Sequence, residues 1–176
     1  MSSGFDSYWV CKRGDIMTRY DKYLIYVLKH KWFVMIECFK VGLYWRGIAH
    51  DFDKFLPSLF IPYARRFFGP GKDIKSGRDK TGYYDPTKGA DEKFKAAVQK
   101  HLLKNKHHWQ YWNVDAQPMP LKYVKEMVCD WKGAGRAQGN TNYSPLKWFE
   151  ANKKTMIIHK HTEALIKKVL QQEEAK

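Results

Sequence analysis

Residues 20–54 read YDKYLIYVLKHKWFVMIECFKVGLYWRGIAHDFDK, and the spacing of their apolar side chains decides the fold class. Tyr20, Tyr23, Leu24, Val27 and Leu28 fall at i, i+3, i+4, i+7 and i+8, one face of an α-helix, which predicts a helix ending near His30. The run from Lys31 to Arg46 is apolar nearly all round and reads as a central buried helix rather than a surface one. Glu37 and Lys40 interrupt the stretch from Trp32 to Trp45, which is too short for the ~20 apolar residues a membrane span requires. Gly47 then offers a break before Ile48-Ala49-His50-Asp51.

The rest of the chain continues in the same helical idiom. Phe55, Leu59, Phe60 and Tyr63 fit a short helix, broken by Pro57 and Pro62. Residues 69–90 hold five glycines and two prolines together with Lys72, Lys75, Arg78, Lys80 and Lys88, the composition of a flexible basic loop. Asp91 caps a helix that runs to Asn105 and turns His101 inward. Pro120 to Lys132 forms the next, with Tyr123, Met127 and Asp130 on one face, and Gly133 to Gly139 breaks it. Ser144 and Pro145 open a last long helix to about Gln171. With no β-type alternation and no internal repeat, residues 1–176 read as one all-α, single-domain helical bundle.

Composition narrows the function classes. A chain with 44% hydrophobic and 16% aromatic residues has material for a packed core, which excludes a disordered chain. Thirty-two Lys and Arg against 18 Asp and Glu give +14, a surplus that favours nucleotides, nucleic acid or acidic lipid without choosing among them. Cys11, Cys38 and Cys129 are an odd number with no CxxC pair, so neither a disulfide framework nor a zinc knuckle is indicated. Residues 1–15 lack a basic segment followed by a long apolar run, so no secretory signal is read there, and the expected location is cytoplasmic.

The chemistry concentrates in histidines and carboxylates. His50 and Asp51 are adjacent in HDFDK, His30 precedes them, HLLKNKHH supplies His101, His107 and His108, and Asp130 follows on a helix. Imidazole and carboxylate suit Zn, Mn, Fe and related ions. Glu126, one turn before Asp130, reads as a base, an acceptor behind the ligands, or the helix-surface residue that its spacing ordinarily denotes. Trp109, Tyr111, Trp112 and Trp131 flank these positions as core packing, with base stacking the other reading. His159 and His161 read as surface or core residues.

This order of residues, from about Tyr20 to Lys132, resembles the HD-domain superfamily of metal-dependent phosphohydrolases. More narrowly, HDFDKF, HLLKNKHHWQYW and EMVCDW look like an uncharacterised HD-like family of phage and bacterial genomes. The resemblance implies an HD-type helical bundle in which His30, His50, Asp51 and Asp130 hold one divalent ion. It also implies a second ion on His101 and one of His107 or His108, bridged by Asp51. The same histidines can instead orient the ligands of a single ion by hydrogen bonds. Catalytic roles fall to Asp51 and to Lys54, which contacts the substrate phosphate or assists the leaving group where it is not simply a solvated surface lysine. Lys72, Lys75, Arg78 and Lys80 would join Lys54 in binding the anion.

The leading expectation is therefore hydrolysis of a nucleotide or other phosphoester with one or two ions drawn from Mn, Fe, Zn, Co or Mg. A di-iron HD-type oxygenase is the second. A basic nucleic-acid-binding helical module with structural histidines is the third, although no helix-turn-helix or finger motif is present.

Overall fold

The computed structural model describes residues 17–174 except 87, 116, 141 and 142. Cys11 and the segment read for a secretory signal lie outside the described residues. The architecture is all-helical. In chain order it comprises α1 (Arg19–Lys40), α2 (Tyr44–Ala49), a 3-10 turn (Phe52–Phe55), α3 (Pro57–Phe67) and α4 (Glu92–Lys104). There follow α5 (Trp109–Asn113), α6 (Leu121–Ala137), α7 (Pro145–Asn152), a 3-10 turn (Lys153–Thr155) and α8 (Lys160–Glu174).

The first helix is continuous through His30, where the sequence predicts an end. No glycine or proline stands between Arg19 and Lys40, so nothing interrupts the 22-residue hydrogen-bond ladder. Thr18 starts it with a capping box shared with Asp21. The helix is also not buried all round. Its inward stripe is Tyr23, Val27, His30, Val34, Glu37 and Cys38, whereas Leu28 and Trp32 on the other side are 50% and 58% exposed. Among the described residues, Leu24 and Ile25 are exposed as well, so part of the apolar surface of the helix is left outside the core.

α1 packs most extensively on α6, and the glycines of α6 explain how. The sequence predicts a break at Gly133, but the helix runs on to Ala137. A Cβ at Gly133 would stand 2.4 Å from Val34 Cγ2, and one at Gly135 would stand 2.5 Å from the Tyr143 ring. These glycines let a neighbouring backbone and ring approach closely, so packing against them offsets their poor helix propensity. Around this pair, Tyr23, Val27, Leu59, Phe67 and Phe94 unite α1, α3 and α4 in one apolar cluster. Met127, Trp131, Phe149, Ile166 and Leu170 unite α6, α7 and α8 in another. Cys38 and Cys129 are buried free thiols at the α1–α6 contact.

The last long helix is in fact two. Asn152 donates to the Trp148 carbonyl, Thr155 Oγ donates to the Asn152 carbonyl, and the chain then extends through Met156, which is buried. Short polar side chains that bond the local backbone compete with the helical ladder. Thr162 then receives the backbone N–H of Met119 at 2.8 Å, which ties α8 to the entry of α6. Among the described residues, no helix is long and apolar enough to cross a membrane.

Glu37 braces the two central helices from the side. It is buried, and Lys40, Lys132 and Arg136 approach its carboxylate at 2.7, 3.1 and 2.8 Å. Burial raises its pKa, but Lys40 and Lys132 outweigh that and hold it below its ordinary value of 4.5. A depressed folded-state pKa contributes stability that is present above the unfolded value and lost as pH falls through the folded one. Glu37→Gln is therefore expected to cost about 1–2 kcal/mol at neutral pH, since the cations partly reach water. Urea denaturation as a function of pH should show the gap from wild type closing below about pH 4.

Candidate metal centre

His30 occupies the middle of the buried stripe of α1, directly opposite Asp130 on α6. Val27 and Val34 flank His30 on its buried face and Met127 precedes Asp130 on its own, so each brings a polar group into an apolar interface where it must be compensated. His50 and Asp51 arrive from the corner after α2. That corner turns because Asp51 is in the left-handed region, at φ 55°, the only non-glycine residue there among those described. Lys31 Nζ donates to the carbonyl of His50 at 2.9 Å and to that of Ile48, which pins the corner to α1. His101 comes from the last turn of α4, and His107 and His108 from the short link to α5.

Two groups of donors result. His30, His50, Asp51 and Asp130 form one, and Asp51, His101, His107 and His108 form the other. In the first, His30 Nε2 lies 3.4 Å from Asp51 Oδ2 and 3.1 Å from Asp130 Oδ1. His50 Nε2 is 3.4 Å from each of the same two oxygens. In the second, Asp51 Oδ1 is 3.6 Å from His101 Nε2 and 3.3 Å from His107 Nε2, while His108 Nε2 is 3.0 Å from His101 Nε2. Asp51 thus gives one carboxylate oxygen to each group.

The atoms fit a metal better than they fit one another. Nε2 of His30, His50 and His107 and Oδ1 of Asp51 are buried without a hydrogen-bond partner, while Oδ2 of Asp51 meets the ammonium of Lys54. Leaving such an atom uncompensated costs about 1–3 kcal/mol. Two donors each about 2.1 Å from a tetrahedral ion stand roughly 3.4 Å apart, which is the separation found here. These buried groups could hold a metal ion.

The electrostatics match. Asp51 is held well below the usual carboxylate range: burial opposes this, but His50, Lys54 and His101 outweigh it. Asp130 is likewise lowered against its burial, by the adjacent imidazoles of His30 and His50. Burial and the neighbouring histidines push His107 and His108 down, towards the neutral imidazole that ligates metals. Burial would also lower His50, yet Asp51, Asp130 and Glu126 raise it.

Lys54 is not a solvated surface lysine. Its Nζ lies 2.5 Å from Asp51 Oδ2, and Asp51 and Asp130 raise its pKa against the effect of burial. Glu126 is not a surface residue either. It is 3% exposed, with Arg46 bound to Oε2 and with Nδ1 of His50 and His107 at 3.3 and 3.4 Å from Oε1. The signal for it was in the sequence: Glu126 shares a helical face with Tyr123, Met127 and Asp130. Asp53 and Asn105 are further additions, Asp53 Oδ2 lying 3.0 Å from His101 Nδ1 and 2.8 Å from the Asn105 amide.

The basic loop is placed differently from its expected role. Lys72, Lys75 and Lys80 are exposed and make no ion pair or side-chain hydrogen bond with the centre. Lys72 lines a separate cavity of about 510 Å3 with Arg19 and Lys22. Arg66 ties the far end of the loop down through the carbonyls of Lys88 and Gly89. Arg78 turns inward and bonds the carbonyls of Ile74 and Gly82. The cavity lined by His50, Asp51 and His107, about 450 Å3, takes its cations from Arg46, Lys104 and Lys106 instead. His159 and His161 stand apart, at the entry to α8, with His161 N–H donating to His159 Nδ1. Trp131 packs against Trp148 and Phe149, while Trp109 and Trp112 cover the same core.

No curated protein and no solved structure matches the chain. Residues 19–172, which include every residue of the centre, match a family described as of unknown function, DUF5662, and the chain belongs to that family.

Proposed function

We propose that the protein is a metal-dependent phosphohydrolase of the HD type that acts on a nucleotide or another phosphoester. The observation that carries this reading is the pair of donor groups joined through Asp51, with metal-like separations and unpartnered buried atoms. The order His30, His50-Asp51, Asp130, with further histidines between, resembles the pattern of that superfamily. Divalent ions held there would supply Lewis-acid activation of water and of the phosphoryl group.

The protein's own residues divide the remaining work. Asp51 joins the two donor groups and orients Lys54 through their ion pair. Lys54, anchored at the centre and 17% exposed, would offer a phosphoryl oxygen a fixed positive charge. Arg46, Lys104 and Lys106 line the adjoining cavity and favour an anion there.

The test begins with elemental analysis of protein purified without chelator. Phosphate release from nucleoside monophosphates and from a phosphodiester is then assayed with Mn, Co, Zn and Mg. Lys54→Ala is expected to lower kcat about 100-fold with metal content unchanged. Metal binding without phosphate release, accompanied by dioxygen consumption in the iron form, would replace hydrolysis with oxygenase chemistry. Salt-sensitive nucleic-acid binding that ignores metal and His50→Ala would replace both with a basic binding module.

A further inference from the structure

The two donor groups share a second carboxylate besides Asp51, and it lies on the opposite side of two imidazoles. His50 points Nε2 at Asp51 Oδ2 and Asp130, while His107 points Nε2 at Asp51 Oδ1. Their rings are adjacent, with centroids 4.4 Å apart. The two Nδ1 atoms converge on a single oxygen, Glu126 Oε1, at 3.3 and 3.4 Å. A ligating histidine is oriented by what its other nitrogen donates to, which also fixes the tautomer. Here one acceptor serves a histidine from each group.

We propose that Glu126 positions His50 and His107 together, holding both with Nδ1 protonated and Nε2 turned to Asp51, so that the two metal sites gain or lose affinity as a pair. This rests on the two-ion reading of the centre. Glu126 is itself held in place. Arg46 bonds Oε2 and lies over the Tyr123 ring at 4.2 Å from its centroid, so the carboxylate cannot rotate away without breaking its bond to an anchored guanidinium. The other carboxylate of this kind, Asp53, serves His101 alone, and its effect should be confined to one site.

His50, His107 and Glu126 are also close enough to form a third metal-binding group. Two features favour the positioning role. An ion there would require both imidazoles to bind metals through both nitrogens, and the guanidinium of Arg46 already neutralises Glu126. A cation beside it would be repelled.

The experiment compares wild type with Glu126→Ala, Glu126→Gln and Asp53→Ala. Zinc affinity is measured by chelator competition for both equivalents, and imidazole proton positions are measured by nitrogen-15 NMR on the metal-free and zinc-loaded proteins. Glu126→Ala is expected to weaken both equivalents about 10–100-fold, with Glu126→Gln recovering part of the loss because its amide oxygen still accepts. Asp53→Ala should weaken only one. In wild type, His50 and His107 should carry a proton on Nδ1, with the preference lost in Glu126→Ala. Selective loss of one equivalent in Glu126→Ala, a third equivalent in wild type, or an Nε2-only proton on either ring would overturn the proposal. If wild type bound no zinc, the paired affinity would fall with the functional reading, and the NMR of the metal-free protein would still decide whether Glu126 sets the proton position on both rings. Glu126→Gln keeps the shape and most of the contacts of the carboxylate, so it answers the question should the alanine variant unfold.

Discussion

Asp51→Asn is expected to lower kcat/KM by about 1,000-fold or more and to release both metal equivalents, whereas His30→Ala and His108→Ala should each release one. Asp51 alone belongs to both donor groups, and the substitution removes one carboxylate oxygen together with the negative charge. Transition-state stabilisation by a bound ion is worth several kcal/mol, and each 1.36 kcal/mol is tenfold in rate, hence the magnitude. The variant is also a fair one. Asn tolerates the left-handed backbone that Asp51 adopts at φ 55°, so the corner should keep its path. Elemental analysis of the three purified variants checks the prediction. Equal stoichiometry in all three would show that Asp51 is not the shared group.

Chelation should lower the melting temperature by roughly 10–20 °C. Anything that binds only the native state at about 100 times its Kd stabilises it by about 2.7 kcal/mol, and two ions double that. For a chain of this size each kcal/mol moves the midpoint by roughly 2–4 °C. Nε2 of His30, His50 and His107 and Oδ1 of Asp51 give a structural reason for a large effect, since without a metal ion these buried atoms lack a hydrogen-bond partner. Calorimetry with and without chelator measures it. Asp51→Asn should be nearly insensitive to the chelator, which separates loss of the ion from any general action of the reagent.

The sequence makes the composition of the centre legible and its arrangement only in part. Histidine beside aspartate, and more histidines before a distal Asp130, are chemically conspicuous in a chain whose other helices are apolar on one face. The acceptors behind them are less so, because Glu126, Asp53 and Asn105 have the polarity of ordinary surface residues, and only tertiary packing buries Glu126 and Asp53. Helix boundaries failed for two distinct reasons. Around His30 and Gly133, local propensity suggested breaks that the α1–α6 contact overrides, His30 as part of a buried stripe and Gly133 as a point of close approach. Between Asn152 and Lys160 no glycine or proline marks the break, which comes from side chains bonding the local backbone and from burial of Met156. The basic loop was read for its charge. Charge says which partners are attracted but not where on the surface the loop folds back.

The corner at Asp51 carries one more consequence. Neighbouring residues on a regular helix point about 100° apart, since 3.6 residues complete a turn, so two adjacent side chains converge only where the backbone leaves the helix. His50 and Asp51 converge because the chain turns between α2 and the following 3-10 segment, with Lys31 clasping the carbonyls of the corner. Adding or deleting one residue there would rotate both side chains away from the centre at once, and no single compensating substitution could return them. The segment from Gly47 to Leu56 is therefore expected to tolerate no change of length, whereas residues 69–90 are held from several sides, by Arg66, by Ile74 and Tyr84 packed on the apolar cluster of α1, α3 and α4, and by Thr81 bonded to Asn152.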